Sequence, residues 1–288
     1  MISNHSAPAL KDRIALKFKT LRERNESALI PYIVAGDPDL ERTRKLVIEL
    51  AAHGADLIEL GVPFSDPMAD GPTNQRAAAR GLLSGATLPA ILSTVADLRA
   101  QTDIPIILFG YYNPIYHYGV ERLCADAKQA GIDGLLVVDL PPEEAQELAV
   151  PARGHGLDLI YLLAPTTPLE RSQKVAASAT GFLYYVSVTG VTGARAALAS
   201  DLEAKVTALR QIIDLPIGVG FGISTAQQAR EVARFADAVV VGSAISLLIE
   251  QHAASDELVT MVVDFVAALK QGMLESRPVS TADNKDVG

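Results

Sequence analysis

Residues 104–140 read "IPIILFGYYNPIYHYGVERLCADAKQAGIDGLLVVDL", and this stretch contains a complete structural unit. Its two ends, "IPIILF" and "GLLVV", are apolar without alternation. A strand with one wet face alternates, so these two predict strands buried on both faces. Between them Val120–Ala130 mixes polar and apolar residues in the manner of a helix with one covered face. Two doubly buried strands joined through a helix form a parallel βαβ unit.

The same unit recurs in both directions. Apolar or β-branched runs appear at "LIPYIVAG", "DLIELG", "DLIYLLAP", "GFLYYVSV", "PIGVGFG" and "ADAVVVGSAI", which brings the candidate strands to eight. Helix-like segments at Leu40–His53, Glu143–Gly154 and Thr225–Phe235 separate them. Eight such units in 288 residues fit a closed (β/α)8 barrel better than an open sheet. A doubly wound dinucleotide fold is the alternative, but no GxGxxG fingerprint supports it. An amphipathic opening near Leu10–Arg24 adds an N-terminal helix, and the long connection from Gly61 to Pro105 holds an extra one beside the crossover "GATLPAILSTVADLRAQ". The expected organisation is one barrel domain over residues 1–271 and a disordered tail over 272–288, where periodicity is lost.

Composition narrows the partners. A formal net charge of −9, with no sustained basic segment, argues against a nucleic-acid surface. No apolar run approaches the ~20 residues that span a bilayer, the N-terminus lacks the hydrophobic core of a signal peptide, and a single cysteine, Cys124, forms no internal disulfide. The expectation is a cytoplasmic protein that binds neither membrane nor nucleic acid. Cys124 and Met68 read as core or loop filling.

In such a barrel the chemistry belongs at the C-terminal strand ends, where Asp37, Glu59, Asp70, Asn113, Asp139, Thr166, Tyr184, Ser187, Gly222 and Ser243 fall. Glu59 stands out. Alternation along "DLIEL" puts it on the side of Leu57 and opposite Ile58 and Leu60. If that side faces the interior, burial raises the carboxyl's pKa and suits it to proton transfer. Asp70 in "MADGP", and with a stronger turn-forming alternative Asp66 in "SDP", offer a second carboxylate on the loop above. Two carboxyls in unlike surroundings can divide acid and base roles. Late in the chain "SVTGVTG", "GFGIS" and "GSAI" follow strands six, seven and eight. Their glycines, with Ser224 and Ser243 near helix starts, suit a phosphate. The five histidines lack compact metal-ligand spacing, and no predicted strand end carries a lysine for Schiff-base chemistry. Carboxylate proton transfer on a phosphorylated molecule remains.

Together "PYIVAGDPD", "DLIELGVPFSDPMADGPTNQ", "YYNPI", "VVDLPPEE", "SVTGVTGAR" and "VGFGIS" resemble the alpha subunit of tryptophan synthase, over roughly Leu10 to Lys270. The resemblance implies a TIM barrel that cleaves indole-3-glycerol phosphate to indole and glyceraldehyde 3-phosphate. It implies Glu59 and Asp70 as the catalytic pair. By the same resemblance Tyr32, Phe109, Tyr111 and Leu136 surround the indole end, Tyr184 is the pocket tyrosine before the mobile sixth loop, and Gly193, Gly222 and Ser243 hold the phosphate. Thr192, on a sixth loop that closes over the ligand, orients Asp70. No cofactor is implied in this chain. Pyridoxal phosphate belongs to a beta subunit, implied as the partner in an alpha2beta2 assembly and contacted around Asp66, Pro67 and Asn113. The other readings are a stand-alone indole-releasing or different sugar-phosphate lyase, and a noncatalytic activator of another enzyme.

Overall fold

The computed structural model describes residues 12–187, 195–220 and 222–275. Eight parallel strands close into a barrel in sequential order: β1 (Ala28–Val34), β2 (Ile58–Gly61), β3 (Ile106–Gly110), β4 (Gly134–Val137), β5 (Asp158–Leu163), β6 (Leu183–Val186), β7 (Ile217–Gly220) and β8 (Ala238–Val241). Pairing of β1 with β8, from Ala28↔Ala238 to Pro31↔Val241, closes the ring. The closed (β/α)8 architecture is therefore as expected.

Before the barrel lies α1 (Arg13–Glu23), the N-terminal helix. The outer ring then runs α2 (Leu40–Ala52), α3 (Pro72–Leu83), α4 (Leu88–Leu98), α5 (Tyr112–Tyr118), α6 (Val120–Ala130), α7 (Gln146–Gly154), α8 (Leu169–Ser178), α9 (Arg195–Arg210), α10 (Ala226–Ala233), α11 (Ser243–His252) and α12 (Leu258–Leu274). The extended connection after β2 holds α3 and α4, of which α3 is the addition. Helix α12 continues past the boundary expected at 272, because Met273 is still buried in the outer core. Residues 276–288, the rest of the tail expected over 272–288, lie outside the described residues. Among the described residues no single helix is long and apolar enough to cross a membrane.

Alternation along the strands sorts the core into two layers. Ile58 and Leu60 point outward into the layer shared with the helices, whereas Leu57, Ile107, Leu136, Ile160 and Val240 fill the barrel interior. Ile14, Phe18 and Leu21 of α1 join the interior set, and the Phe18 ring lies 5.6 Å from that of Phe182. The N-terminal helix is thus the floor of the barrel. Buried Cys124 packs in the outer layer, while Met68 is 90% exposed and packs in no core.

The floor is stitched by one device used four times. The residue leading into each even strand donates its N–H to a carbonyl of the preceding odd strand and accepts that residue's N–H on its side chain. The pairs are Asp56 with Leu29, Asp133 with Ile106, Thr180 with Leu159 and Asp237 with Ile217. Each pair satisfies the first backbone groups of adjoining strands, which the ladder leaves open.

Candidate active site

At the opposite end the strand termini surround a cavity of about 390 Å³. Glu59 reaches it from β2, where it is paired in register with Tyr32 on one side and Ile107 on the other. Its side chain is wholly buried, and neither carboxyl oxygen has a hydrogen-bond partner. Desolvation with no compensating donor pushes its pKa up to about 8. At neutral pH the group is mainly protonated and can donate.

Asp70 sits on the loop between β2 and α3 in different surroundings. The Tyr111 hydroxyl donates to Asp70 Oδ2 at 2.8 Å, and the Ala69 N–H donates to the same hydroxyl at 3.0 Å. Partial burial raises the Asp70 pKa, while hydrogen bonds from Tyr111 and Asn74 oppose the rise. One carboxyl is thus dry and unpartnered, and the other is held by donors. That is the division expected of an acid and a charge stabiliser.

Tyr32 lies under the influence of both carboxyls, and burial together with Asp70 and Glu59 raises its pKa well above the ordinary value. Tyr184 is raised likewise, by burial and then by Glu59. Both phenols stay neutral and can donate. Phe109 meets Tyr32 edge-on with ring centroids 5.0 Å apart, forming an aromatic wall. Two strand-end glycines make room for these rings. A Cβ on Gly61 would stand 2.6 Å from the Tyr32 hydroxyl, and one on Gly220 would stand 2.8 Å from Tyr184 Cζ.

The other pole of the cavity is built from backbone. Gly222, at φ 58°, faces it together with Gly242 and Ser243 at the start of α11. Gly242 caps that helix without any side chain to occupy its first N–H groups. Free donors at the positive end of a helix suit a phosphate. Aromatic wall, buried acid and anion pole face one space.

Residues 18–274 match the family model described as "Tryptophan synthase alpha chain". The chain belongs to the tryptophan synthase alpha chain family. The protein named tryptophan synthase alpha chain in Citrifermentans bemidjiense is 59% identical over 263 residues, covering 91% of this chain and 98% of that one. Its namesake in Geobacter sulfurreducens is 54% identical over 261 residues, covering 91% and 98% respectively. A crystal structure of tryptophan synthase subunit alpha from Legionella pneumophila superposes with a TM-score of 0.86 at 38% identity, covering 92% of this chain and 99% of that one. The chain is accordingly an enzyme of tryptophan biosynthesis.

Of the residues expected for a tryptophan synthase alpha chain site, Glu59, Tyr32, Phe109, Tyr184, Gly222 and Ser243 line the cavity. Asp70 and Tyr111 stand beside it as a bonded pair. Leu136 shares the interior cluster with Phe109 and Tyr184 and does not line the cavity. Thr192 and Gly193 lie outside the described residues. Ser224 does not join the anion pole, because its N–H and hydroxyl both donate to Gln228 Oε1, at 2.9 and 3.2 Å. Two other strand-end acids are structural. Asp37 takes a bidentate pair from Arg80 at 2.7 and 2.8 Å, and Asp139 accepts the Tyr112 N–H at the start of α5. Absent from the expected set is the first turn of α3, whose Pro72, Thr73 and Asn74 also line the cavity. "DGP" followed by a helical run signals that helix start, but not that it borders the site.

Proposed function

We propose that this chain cleaves indole-3-glycerol phosphate with Glu59 as the proton shuttle and Asp70 as the stabiliser of the charged indole ring. The carrying observation is Glu59: a wholly buried carboxyl without a partner, facing a cavity with an aromatic wall and an anion pole. In this reading the phosphate is held by the donors around Gly222, Gly242 and Ser243, and the indole packs against Tyr32 and Phe109. Protonated Glu59 delivers its proton to indole C3, which turns the ring into a cationic electron sink. The Asp70 carboxylate accepts the ring N–H and stabilises that charge. Glu59, now ionised, removes the proton of the hydroxyl on the carbon attached to C3. The C–C bond breaks, its electron pair returns to the ring, and indole and glyceraldehyde 3-phosphate result. The proton lent to C3 is balanced by the one recovered, so Glu59 ends protonated. Cleavage of this kind requires no cofactor from this chain.

The reading extends to a beta subunit that carries pyridoxal phosphate, in an alpha2beta2 assembly. Exposed Asp66 and Asn113, with Pro67 and Met68 between loop and solvent, supply the contact surface on the side of the Asp70 loop. A cytoplasmic setting suits the lone free thiol.

The test is indole release from indole-3-glycerol phosphate, with and without a beta subunit, by the wild type, Glu59→Gln and Asp70→Asn. Loss of at least about 100-fold in both folded variants is expected, the lower end of what a positioned acid–base group contributes. Full activity in either would remove that carboxyl from the mechanism. Release by the wild type that ignores the beta subunit would mark a stand-alone lyase.

A further inference from the structure

Two helices that border the cavity, α3 and α11, are joined by one chain of alternating charges. Buried Asp37, just beyond β1, receives Nε and Nη2 of Arg80 from α3 at 2.7 and 2.8 Å. The third nitrogen of that guanidinium, Nη1, reaches Glu250 Oε1 on α11 at 3.2 Å. Glu250 is held a second time by Arg76, one turn back on α3, through Nε at 2.7 Å and Nη2 at 2.8 Å. The remaining Arg76 nitrogen, Nη1, donates to the Pro72 main-chain oxygen at 3.3 Å, and the neighbouring Gln75 side chain donates to the Asp70 main-chain oxygen at 2.8 Å. The chain of charges therefore ends on the residues that leave the Asp70 loop.

Stability does not account for it. The Arg76–Glu250 pair is open to solvent and adds little, and the best-attested use of a buried pair such as Asp37–Arg80 is to fix register. The register at issue is that of the first turn of α3. None of residues 71–76 is buried, whereas Ala77 and Ala78 are, and a Cβ on Gly81 would stand 2.7 Å from the Ala35 carbonyl oxygen. The later part of α3 is thus seated by packing, while its first turn, which lines the cavity through Pro72, Thr73 and Asn74, is not. Helix α11 lines the same cavity at its start, Ser243, and carries Glu250 about two turns further along.

We propose that Glu250 is a positioning residue for the cleavage: by pinning Arg76 and Arg80 to α11, it fixes the Asp70 loop at a set distance from the anion pole at the start of the same helix. The inference rests on the assignment of that pole to the phosphate and of Asp70 to the indole ring. One molecule must then reach both groups at once, so the span between them decides whether the ring N–H meets the carboxylate. A misplacement of about 1 Å at a reacting centre can lower the rate by about 100-fold.

The test compares the wild-type full chain with Glu250→Gln, Arg76→Gln and the double variant, each confirmed as folded by thermal melting. Indole release gives kcat and KM. Calorimetry gives the affinity for two probes: glycerol 3-phosphate, which reaches only the pole, and a non-cleavable indole-3-alkyl phosphate, which spans both ends. Glu250→Gln should lower kcat about 10- to 100-fold and weaken the spanning probe, with glycerol 3-phosphate affinity held within about twofold. Arg76→Gln, a change at an exposed residue, should show the same pattern more weakly and carries the test if Glu250→Gln fails to fold. In the Arg76→Gln background Glu250→Gln should cost less than it does alone, because the two share one contact. A lowered melting temperature with kcat and both affinities unchanged would make the chain of charges merely structural and overturn the proposal. Equal weakening of both probes would overturn it too, since the pole itself would then be disturbed and not the span. Failure of the wild type to bind either probe would overturn the underlying assignment of the site.

Discussion

As the proposed proton shuttle, Glu59 would couple chemistry to stability with a definite sign. Its ordinary carboxyl value is 4.5 and its folded value is about 8, so between these limits the folded chain holds a proton that the unfolded chain releases. Unfolding then releases protons, and stability falls as pH rises. The contribution is fully present below about pH 4.5, declines through the window and levels off above pH 8. Glu59→Gln keeps the shape of the protonated acid and removes the titration. We therefore expect a variant that is catalytically crippled yet increasingly more stable than the wild type from pH 5 to pH 8, by up to a few kcal/mol. Denaturant midpoints of the two proteins at several pH values check this. A constant difference across the window would show that Glu59 finds a partner when ionised and that desolvation does not control it.

At the level of elements, the site depends on where strands stop and what their last residues leave open. β2 and β7 end in glycines beneath the rings of Tyr32 and Tyr184. Gly220→Ala would place a methyl group against the Tyr184 ring and push it into the cavity. Overpacking of this kind costs about 1–3 kcal/mol of stability. The expected signature in steady-state kinetics is a loss of kcat/KM of about tenfold or more, since displacement of about 1 Å in a site is costly. Relief by Tyr184→Leu in the same chain, seen as recovered melting temperature, would locate the clash; no recovery would place the damage elsewhere in β7. These close approaches also mark the limit of what the sequence discloses. Doubly buried strands announce themselves as unbroken apolar runs, and alternation through "DLIEL" suffices to turn Glu59 inward. The glycines around the far side of the cavity were legible because they follow the last strands, where barrels frequently build a phosphate site. Asn74 was not legible, because an amide in the first turn of a helix looks like ordinary surface polarity until its oxygen is found buried and alone. Asp37 and Ser224 mislead for the converse reason: strand-end position says nothing about Arg80 or Gln228, which claim them.

Across the whole molecule, the strand-entry groups at the floor are paired, whereas the buried acid at the cavity, at the upper end, is not. Stability concentrated at the floor lets the upper end carry unfavourable burial for function. Asp133 is the most heavily used member of the stitch. Besides the Ile106 N–H at 2.9 Å it accepts from Arg13 at 2.9 Å and Arg99 at 3.0 Å, and so ties the floor helix to the ends of β3 and β4. Asp133→Ala would leave the largely buried Arg99 guanidinium without its carboxylate and one strand N–H without an acceptor. Breaking a buried pair from one side costs about 3–5 kcal/mol. Asp237, whose ion pair with Arg210 is more open to solvent, should cost less when replaced by alanine. In neither variant should kcat/KM per folded molecule change by more than about twofold, because both lie at the far end of the strands from the cavity. Urea unfolding and indole release on the same samples separate the two quantities. If Asp133→Ala spares the unfolding midpoint but slows cleavage, the floor communicates with the site and the division of labour between the barrel's ends is wrong.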